Sequence, residues 1–313
     1  MLAKSDIKRN IASGITVKLP FNPPFDWSAM IGFLAGRAIP GVEAVQSDSY
    51  FRSFVLNGVH GVVQVRPDAN ANHLLVIVHA GGATPLKIIE ARLRCLFDLD
   101  ADMTVIDAHL SKDPLLAYRV KQRPGLRVPG AWDVFELAVR AVLGQQISVA
   151  AATTLSGRLV AALGKPLNID VPKIIKETGI SMIFPLPEVV MTADLTQIGL
   201  TRARAKALQT LGSAMNSDER LLQPYGTLDK TITKLCELPG IGPWTAQYIA
   251  IRALREPDAF PSSDLGLLRA LGRKQELPTP KELIAAAQVW RPWRAYAAMR
   301  LWMQPEMPLS GSE

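Results

Sequence analysis

Leu238-Pro239-Gly240-Ile241-Gly242-Pro243-Trp244-Thr245-Ala246 carries the strongest structural signal in the chain. A helix over Thr231 to Glu237 ends here. Two glycines turn the chain, and a second helix starts at Pro243 and runs to Leu254. Proline suits the first helical position, because its missing N–H is one that position leaves unpaired anyway. The glycines leave backbone N–H groups uncovered at a helix N-terminus, where donors and dipole together suit a phosphate oxygen. Ile241 is expected to pack back into the hairpin and hold the loop rigid. Taken alone, a GxG turn reads as an ordinary pair of antiparallel helices.

Outward from the hairpin, the chain from Asp133 onward reads as helical almost throughout. Phe135, Ala138, Ala141 and Val142 follow the 3.6-residue period, with Gly144 as a C′ cap. Further helices are expected over Val149 to Leu163, Thr201 to Met215 (Thr201 as N-cap), Asp264 to Leu271, Pro280 to Gln288 and Trp293 to Met303. The first third reads as α+β. Asn57-Gly58 between Phe51–Leu56 and Val59–Arg66 is a strong hairpin signal, and His73 to His79 is a further strand. An antiparallel sheet of at least three strands follows, flanked by helical Trp27–Ala38 and Pro85–Leu96. No catalytic constellation is visible there, so this region reads as scaffold or as a DNA-facing accessory domain. Residues 111–130 hold Lys112, Arg119, Lys121, Arg123 and Arg127 against one acid, Asp113. They read as a basic connector, either solvated or forming an electrostatic lip.

Composition narrows the function classes. The 313 residues suggest about two domains, and 48% hydrophobic with 20% charged residues is ordinary for a globular protein. The net charge of +7 is compatible with a polyanionic partner. No apolar run reaches membrane-spanning length, and Met1 to Asn10 has no signal-peptide core, so a cytoplasmic protein is expected. Cys95 and Cys236 make neither a disulfide framework nor the four-thiolate set of an iron–sulfur cluster. The four histidines all lie in the first third and form no HExxH motif, so no histidine-based metal site is expected.

LPGIGxxTA, with Phe260-Pro261-Ser262-Ser263-Asp264 downstream, resembles the helix-hairpin-helix superfamily of DNA base-excision glycosylases. Four further stretches look like the AlkA-type DNA-3-methyladenine glycosylase II. They are Pro23-Pro24-Phe25-Asp26-Trp27, Arg123-Pro124-Gly125-Leu126-Arg127-Val128-Pro129-Gly130, Leu143-Gly144-Gln145-Gln146-Ile147-Ser148 and Arg291-Pro292-Trp293-Arg294-Ala295-Tyr296-Ala297. The likeness runs in order from about Leu19 to Met303. It implies an α+β fold, with an N-terminal antiparallel-sheet domain followed by an all-α glycosylase core of two helical subdomains. The expected division is an extension over 1–18, the α+β domain over 19–110, the connector over 111–130 and the helical region over 131–313. No fused regulatory or methyltransfer domain is expected.

The implied activity is a monofunctional DNA N-glycosylase that flips alkylated purines out of double-stranded DNA. Asp264 is the implied catalytic carboxylate, because N-glycosidic cleavage builds positive charge on the sugar. On the residues alone, Asp264 reads as a first-turn acid complementing a helix dipole, with Ser262 or Ser263 as N-cap. Trp244 stands where lyase members carry a nucleophilic lysine, and no lysine occurs from Leu235 to Ser263, so water is the implied nucleophile. Trp244, Tyr248, Trp302, Phe33, Gln145 and Leu265 are the implied base pocket. Trp244 and Tyr248 share a helix face at i and i+4. Leu265 and Met303 depart from the tyrosines of the family pattern. Gln146 is the implied wedge, where the family has an apolar leucine. Gly240, Ile241, Gly242 and Thr245 are the implied phosphate contacts, and Arg202, Lys206 and Arg294 are further candidates. No cofactor is required. A structural Na+ or K+ on the backbone carbonyls of Cys236, Leu238 and Gly240 is the one ion implied, and the protein is expected to be a monomer. The competing readings are a glycosylase for deaminated or oxidised bases, and a non-catalytic DNA-binding module.

Overall fold

The computed structural model describes residues 8–10, 14–218, 220–272 and 277–303. Six strands form one antiparallel sheet: β1 (Lys8–Asn10), β2 (Gly14–Pro20), β3 (Glu43–Gln46), β4 (Ser49–Leu56), β5 (Val59–Pro67) and β6 (His73–Ala80), in the order β1-β2-β6-β5-β4-β3. The hairpin expected at Asn57-Gly58 is present. Leu56 pairs with Val59, and both turn residues have positive φ, 51° and 74°. Strand β2 begins inside the segment expected as an extension, so the sheet takes up part of residues 1–18. The remainder of that segment, 1–7 and 11–13, lies outside the described residues.

Helices α1 (Trp27–Ala35), α2 (Leu86–Phe97), α3 (Met103–Leu110) and α4 (Pro114–Gln122) accompany the sheet. The expected basic connector is therefore mostly built structure. Asp113 caps α4, Arg119 is buried, and Arg127 is only 2% exposed, donating to the carbonyls of Asn22, Pro24, Asp98 and Ala101. Its two terminal nitrogens, Nη1 and Nη2, make all four of these bonds.

The helical part comprises α5 (Val134–Leu143), α6 (Val149–Leu163), α7 (Lys173–Lys176), α8 (Pro187–Val190), α9 (Arg202–Ser217), α10 (Leu228–Cys236), α11 (Pro243–Arg252), α12 (Leu265–Leu271), α13 (Pro280–Ala286) and α14 (Arg294–Trp302). A two-residue ladder, Lys165–Pro166 with Met182–Ile183, interrupts it. Thr201 caps α9 as expected, accepting from the Arg204 N–H. Gly144 is not a left-handed cap: its φ is −78°, and the left-handed residue of this turn is Gln146 at 59°. Gly144 instead permits close approach, since a Cβ there would meet the Arg140 carbonyl at 3.2 Å.

Among the described residues there are two large apolar cores, which do not follow the expected domain division, and a small third one in which Ile175 of α7 meets Phe51 and Val62 of the sheet. One large core packs the sheet and α2–α3 together with α12–α14; the other packs α5, α6 and α8–α10. Helix α11 belongs to both, with Ala246 and Ile249 in the second core and Ala250 and Ile251 in the first. The helix therefore lies on the seam between the two large cores.

Candidate active site

The seam brings Asp264 together with three of the expected aromatic residues. Asp264 is the N-cap of α12, its side chain accepting from the Leu267 N–H at 3.0 Å. Neither Ser262 nor Ser263 takes that role. Trp302 Nε1, from the end of α14, donates to the same oxygen, Oδ1, at 2.9 Å. Trp244 Nε1, from the first turn of α11, donates to Oδ2 at 2.7 Å. A carboxylate offers about four acceptor positions. Three are filled by donors fixed on three different helices, which fixes the carboxylate and leaves one without a donor among the described residues. Asp264 is half-buried. Gly266 makes the arrangement possible, because a Cβ there would stand 3.0 Å from Asp264 Oδ1 and 3.4 Å from the Trp302 ring.

Trp244 and Tyr248 stack with centroids 5.4 Å apart and planes 10° apart, and Tyr248 meets Trp302 at 6.2 Å and 58°. Rings so close and so nearly parallel are in offset contact. No third ring fits between Trp244 and Tyr248. Leu265 is half exposed beside Asp264. Phe33 is not open to a base: it is 6% exposed and covered by the Arg37 guanidinium at 3.7 Å and that of Arg252 at 4.6 Å. Arg252 also donates to the Tyr248 hydroxyl at 2.7 Å. Burial alone would raise the Tyr248 phenol, but Arg252, Arg37 and Arg140 hold it below the usual tyrosine value.

Beside this cluster sits the glycine hairpin. Gly240 has φ 85°, and a Cβ on it would lie 2.4 Å from Ala207 Cβ, so the loop lies hard against α9. Ile241 is buried, as expected of a residue that stiffens the loop. Gly242 is the N-cap of α11 and offers no side chain to the first-turn N–H groups.

Two expected roles change. The Gln145 side chain is turned from the base pocket to the hairpin, donating to Gly240 O at 2.8 Å and Thr245 Oγ1 at 3.0 Å. Thr245 is 2% exposed, so its hydroxyl serves that contact and not a phosphate. Arg204 Nη2 donates to Gln145 O at 2.7 Å, tying the turn before α6 to α9 as well. Gln146, next in line, is exposed. Among the candidate phosphate partners, Arg202 and Lys206 are exposed, whereas Arg294 is buried and paired with Asp258 at 2.7 Å. Sequence reasoning missed Arg204, Gly266 and Arg252. Only Arg252 left a signal, standing four residues beyond Tyr248 on the same helix face.

Residues 16–133 match the family model described as the AlkA N-terminal domain, and residues 139–295 match that of the HhH-GPD superfamily base excision DNA repair protein. The chain is 36% identical to DNA-3-methyladenine glycosylase 2 of Escherichia coli over 290 residues, 91% of this chain and 95% of that protein. It is also 36% identical over 300 residues to a Mycobacterium tuberculosis protein named "Probable bifunctional transcriptional activator/DNA repair enzyme AlkA". That match covers 96% of this chain and 59% of the longer relative. The fold is similar to that of a solved 3-methyladenine DNA-glycosylase from Archaeoglobus fulgidus, with TM-score 0.77 at 21% identity, covering 91% of this chain and 96% of that one.

Proposed function

The chain belongs to the AlkA-type branch of the HhH-GPD superfamily, and on that premise we propose that it is a monofunctional glycosylase excising alkylated purines, of the 3-methyladenine and 7-methylguanine type, from double-stranded DNA. The observation that carries the reading is the half-buried Asp264 carboxylate, held by two indole N–H groups and one backbone N–H. As the bond between C1′ and the base nitrogen breaks, its electron pair leaves with the base and C1′ becomes cation-like. A fixed carboxylate stabilises that charge without reorganising. Water then adds to C1′, and Asp264 can accept its proton. Trp244 occupies the position where a lysine would permit a Schiff base, so the product is an abasic site with the strand intact. The faces of Trp244, Tyr248 and Trp302 suit a flat base, and more so a cationic one.

The Ile241 N–H is already donated to Leu238 O at 3.0 Å, so of the expected hairpin donors it is the N–H groups of Gly240 and Gly242 that would hold a phosphate beside the extruded nucleotide, with Gln146 filling the gap in the duplex. The carbonyls of Cys236, Leu238 and Gly240 are oxygen donors of the kind a hard monovalent cation takes, and such an ion would offset phosphate repulsion there. Gln145 already donates to Gly240 O, which keeps its second lone pair for that use. The protein would act as a monomer, in the cytoplasm.

The test is to incubate methylated duplex DNA with the protein and identify the freed bases chromatographically. The wild type is expected to release methylated purines. Asp264→Asn is expected to lose release by at least about 100-fold while binding DNA as before. Equal release by both proteins would remove Asp264 from the chemistry.

A further inference from the structure

Arg252 is 5% exposed, yet among the described residues no carboxylate lies within ion-pair distance of it. Its Nε donates to Pro129 O, its Nη2 to Gly130 O at 3.0 Å, and its Nη1 to the Tyr248 hydroxyl at 2.7 Å. Its plane also lies over the rings of Phe33, at 4.6 Å, and Tyr248, at 5.5 Å. Burial, with Arg37 and Arg140 nearby, pushes its pKa down to about 10, still charged at neutral pH. Burying an unpaired charge is costly, so the site must satisfy it with fixed dipoles. Here the two carbonyls belong to the strip that joins the sheet side of the molecule to α5.

We propose that Arg252 is a positioning residue for base release: it ties the strip at 129–130 to Tyr248, and through the Tyr248–Trp244 stack it sets the indole N–H that holds Asp264. Each step is a contact already described: guanidinium to hydroxyl, ring on ring at 5.4 Å, and indole N–H to Oδ2 at 2.7 Å. Arg252 reaches neither the carboxylate nor an exposed face, so it acts only through its neighbours. The fork geometry matters as much as the charge, since a lysine ammonium could not reach three acceptors from two directions.

This inference rests on the glycosylase reading, and its test separates the two. The proteins compared are wild type, Arg252→Met, Tyr248→Phe and the double variant. Single-turnover release from methylated DNA is expected to fall about tenfold in each single variant, with DNA affinity within about twofold of wild type. The double variant is expected to be no slower than the worse single one, because both cut the same link. Tyr248→Phe keeps the ring and the Arg252 contacts to the strip, so it tests the relay even if Arg252→Met does not fold. A second readout needs no DNA. Ultraviolet difference titration, with Tyr248→Phe as the blank, is expected to show the Tyr248 phenol ionising at higher pH in Arg252→Met. Multiplying losses in the double variant, a change in DNA affinity in place of rate, or an unmoved phenol would each overturn the relay. If wild type releases no base, the glycosylase reading falls and the phenol titration still decides whether Arg252 controls Tyr248.

Discussion

At the scale of single residues, the candidate site is a problem of placing one carboxylate. Three donors meet Asp264, and Gly266 keeps the space around it clear. Gly266 lies in the first turn of α12 with ordinary helical φ, so alanine there removes the flexibility penalty of glycine, worth up to about 1 kcal/mol. The same methyl group would press on Asp264 Oδ1 and Trp302 at 3.0 and 3.4 Å. Gly266→Ala is therefore expected to leave the melting temperature within a few degrees of wild type while slowing base release several-fold. Thermal melts and single-turnover kinetics on the same preparation check both halves. The two effects have separate causes, because helix propensity acts on the backbone and the lost rate acts on one oxygen.

At the scale of elements, the hairpin and the turn before α6 work as one unit. Gln145 bridges them by donating to Gly240 O and Thr245 Oγ1, and Arg204 fixes Gln145 from α9. Gly240 is where this unit is least tolerant. Its φ of 85° disfavours any side chain, and an added Cβ would overlap Ala207 Cβ at 2.4 Å. Gly240→Ala is expected to cost about 2 kcal/mol or more of stability, since backbone strain and overpacking act together. It is also expected to weaken DNA binding, by moving the N–H groups that would face a phosphate. Denaturant unfolding and a binding titration measure the two losses. A stable variant with unchanged affinity would show that the hairpin does not grip DNA.

At the scale of the whole molecule, a buried ionic network joins the sheet to α5. Arg52 of β4 pairs with Glu43 of β3 at 3.1 Å and with Glu136 of α5, and Arg140 of α5 reaches Glu43 at 2.8 Å. Tyr50 donates to Glu43 as well, at 2.6 Å. Burial alone would raise the Glu43 carboxyl, but Arg140 and Arg52, with hydrogen bonds from Tyr50 and the Ile39 N–H, hold it below the usual glutamate value of 4.5. A carboxylate depressed in the folded state stabilises above its unfolded pKa, and that contribution is lost as pH falls through the folded value. The wild type is therefore expected to lose stability as pH drops below about 4.5, with Glu43→Gln showing a shallower loss over that range. At neutral pH the same variant is expected to be less stable by about 3–5 kcal/mol, because it leaves buried guanidinium charge uncompensated. Unfolding curves at a series of pH values check both signs.

The local elements were legible in the residues alone. Alternation and the Asn57-Gly58 turn marked the sheet, period and caps marked the helices, and the Gly240–Pro243 turn with Asp264 downstream marked the site. These signals are short-range, set by backbone sterics and by side chains a few residues apart. Packing settled which core each helix joins, that Gln145 faces the hairpin, that Arg294 is buried against Asp258, and that Phe33 lies beneath two arginines. It alone placed Arg252 against Pro129 and Gly130, more than a hundred residues away in the chain. The physical reason is that a polar side chain's partner is whichever donor or acceptor burial leaves unsatisfied nearby. That is known only once the elements have packed.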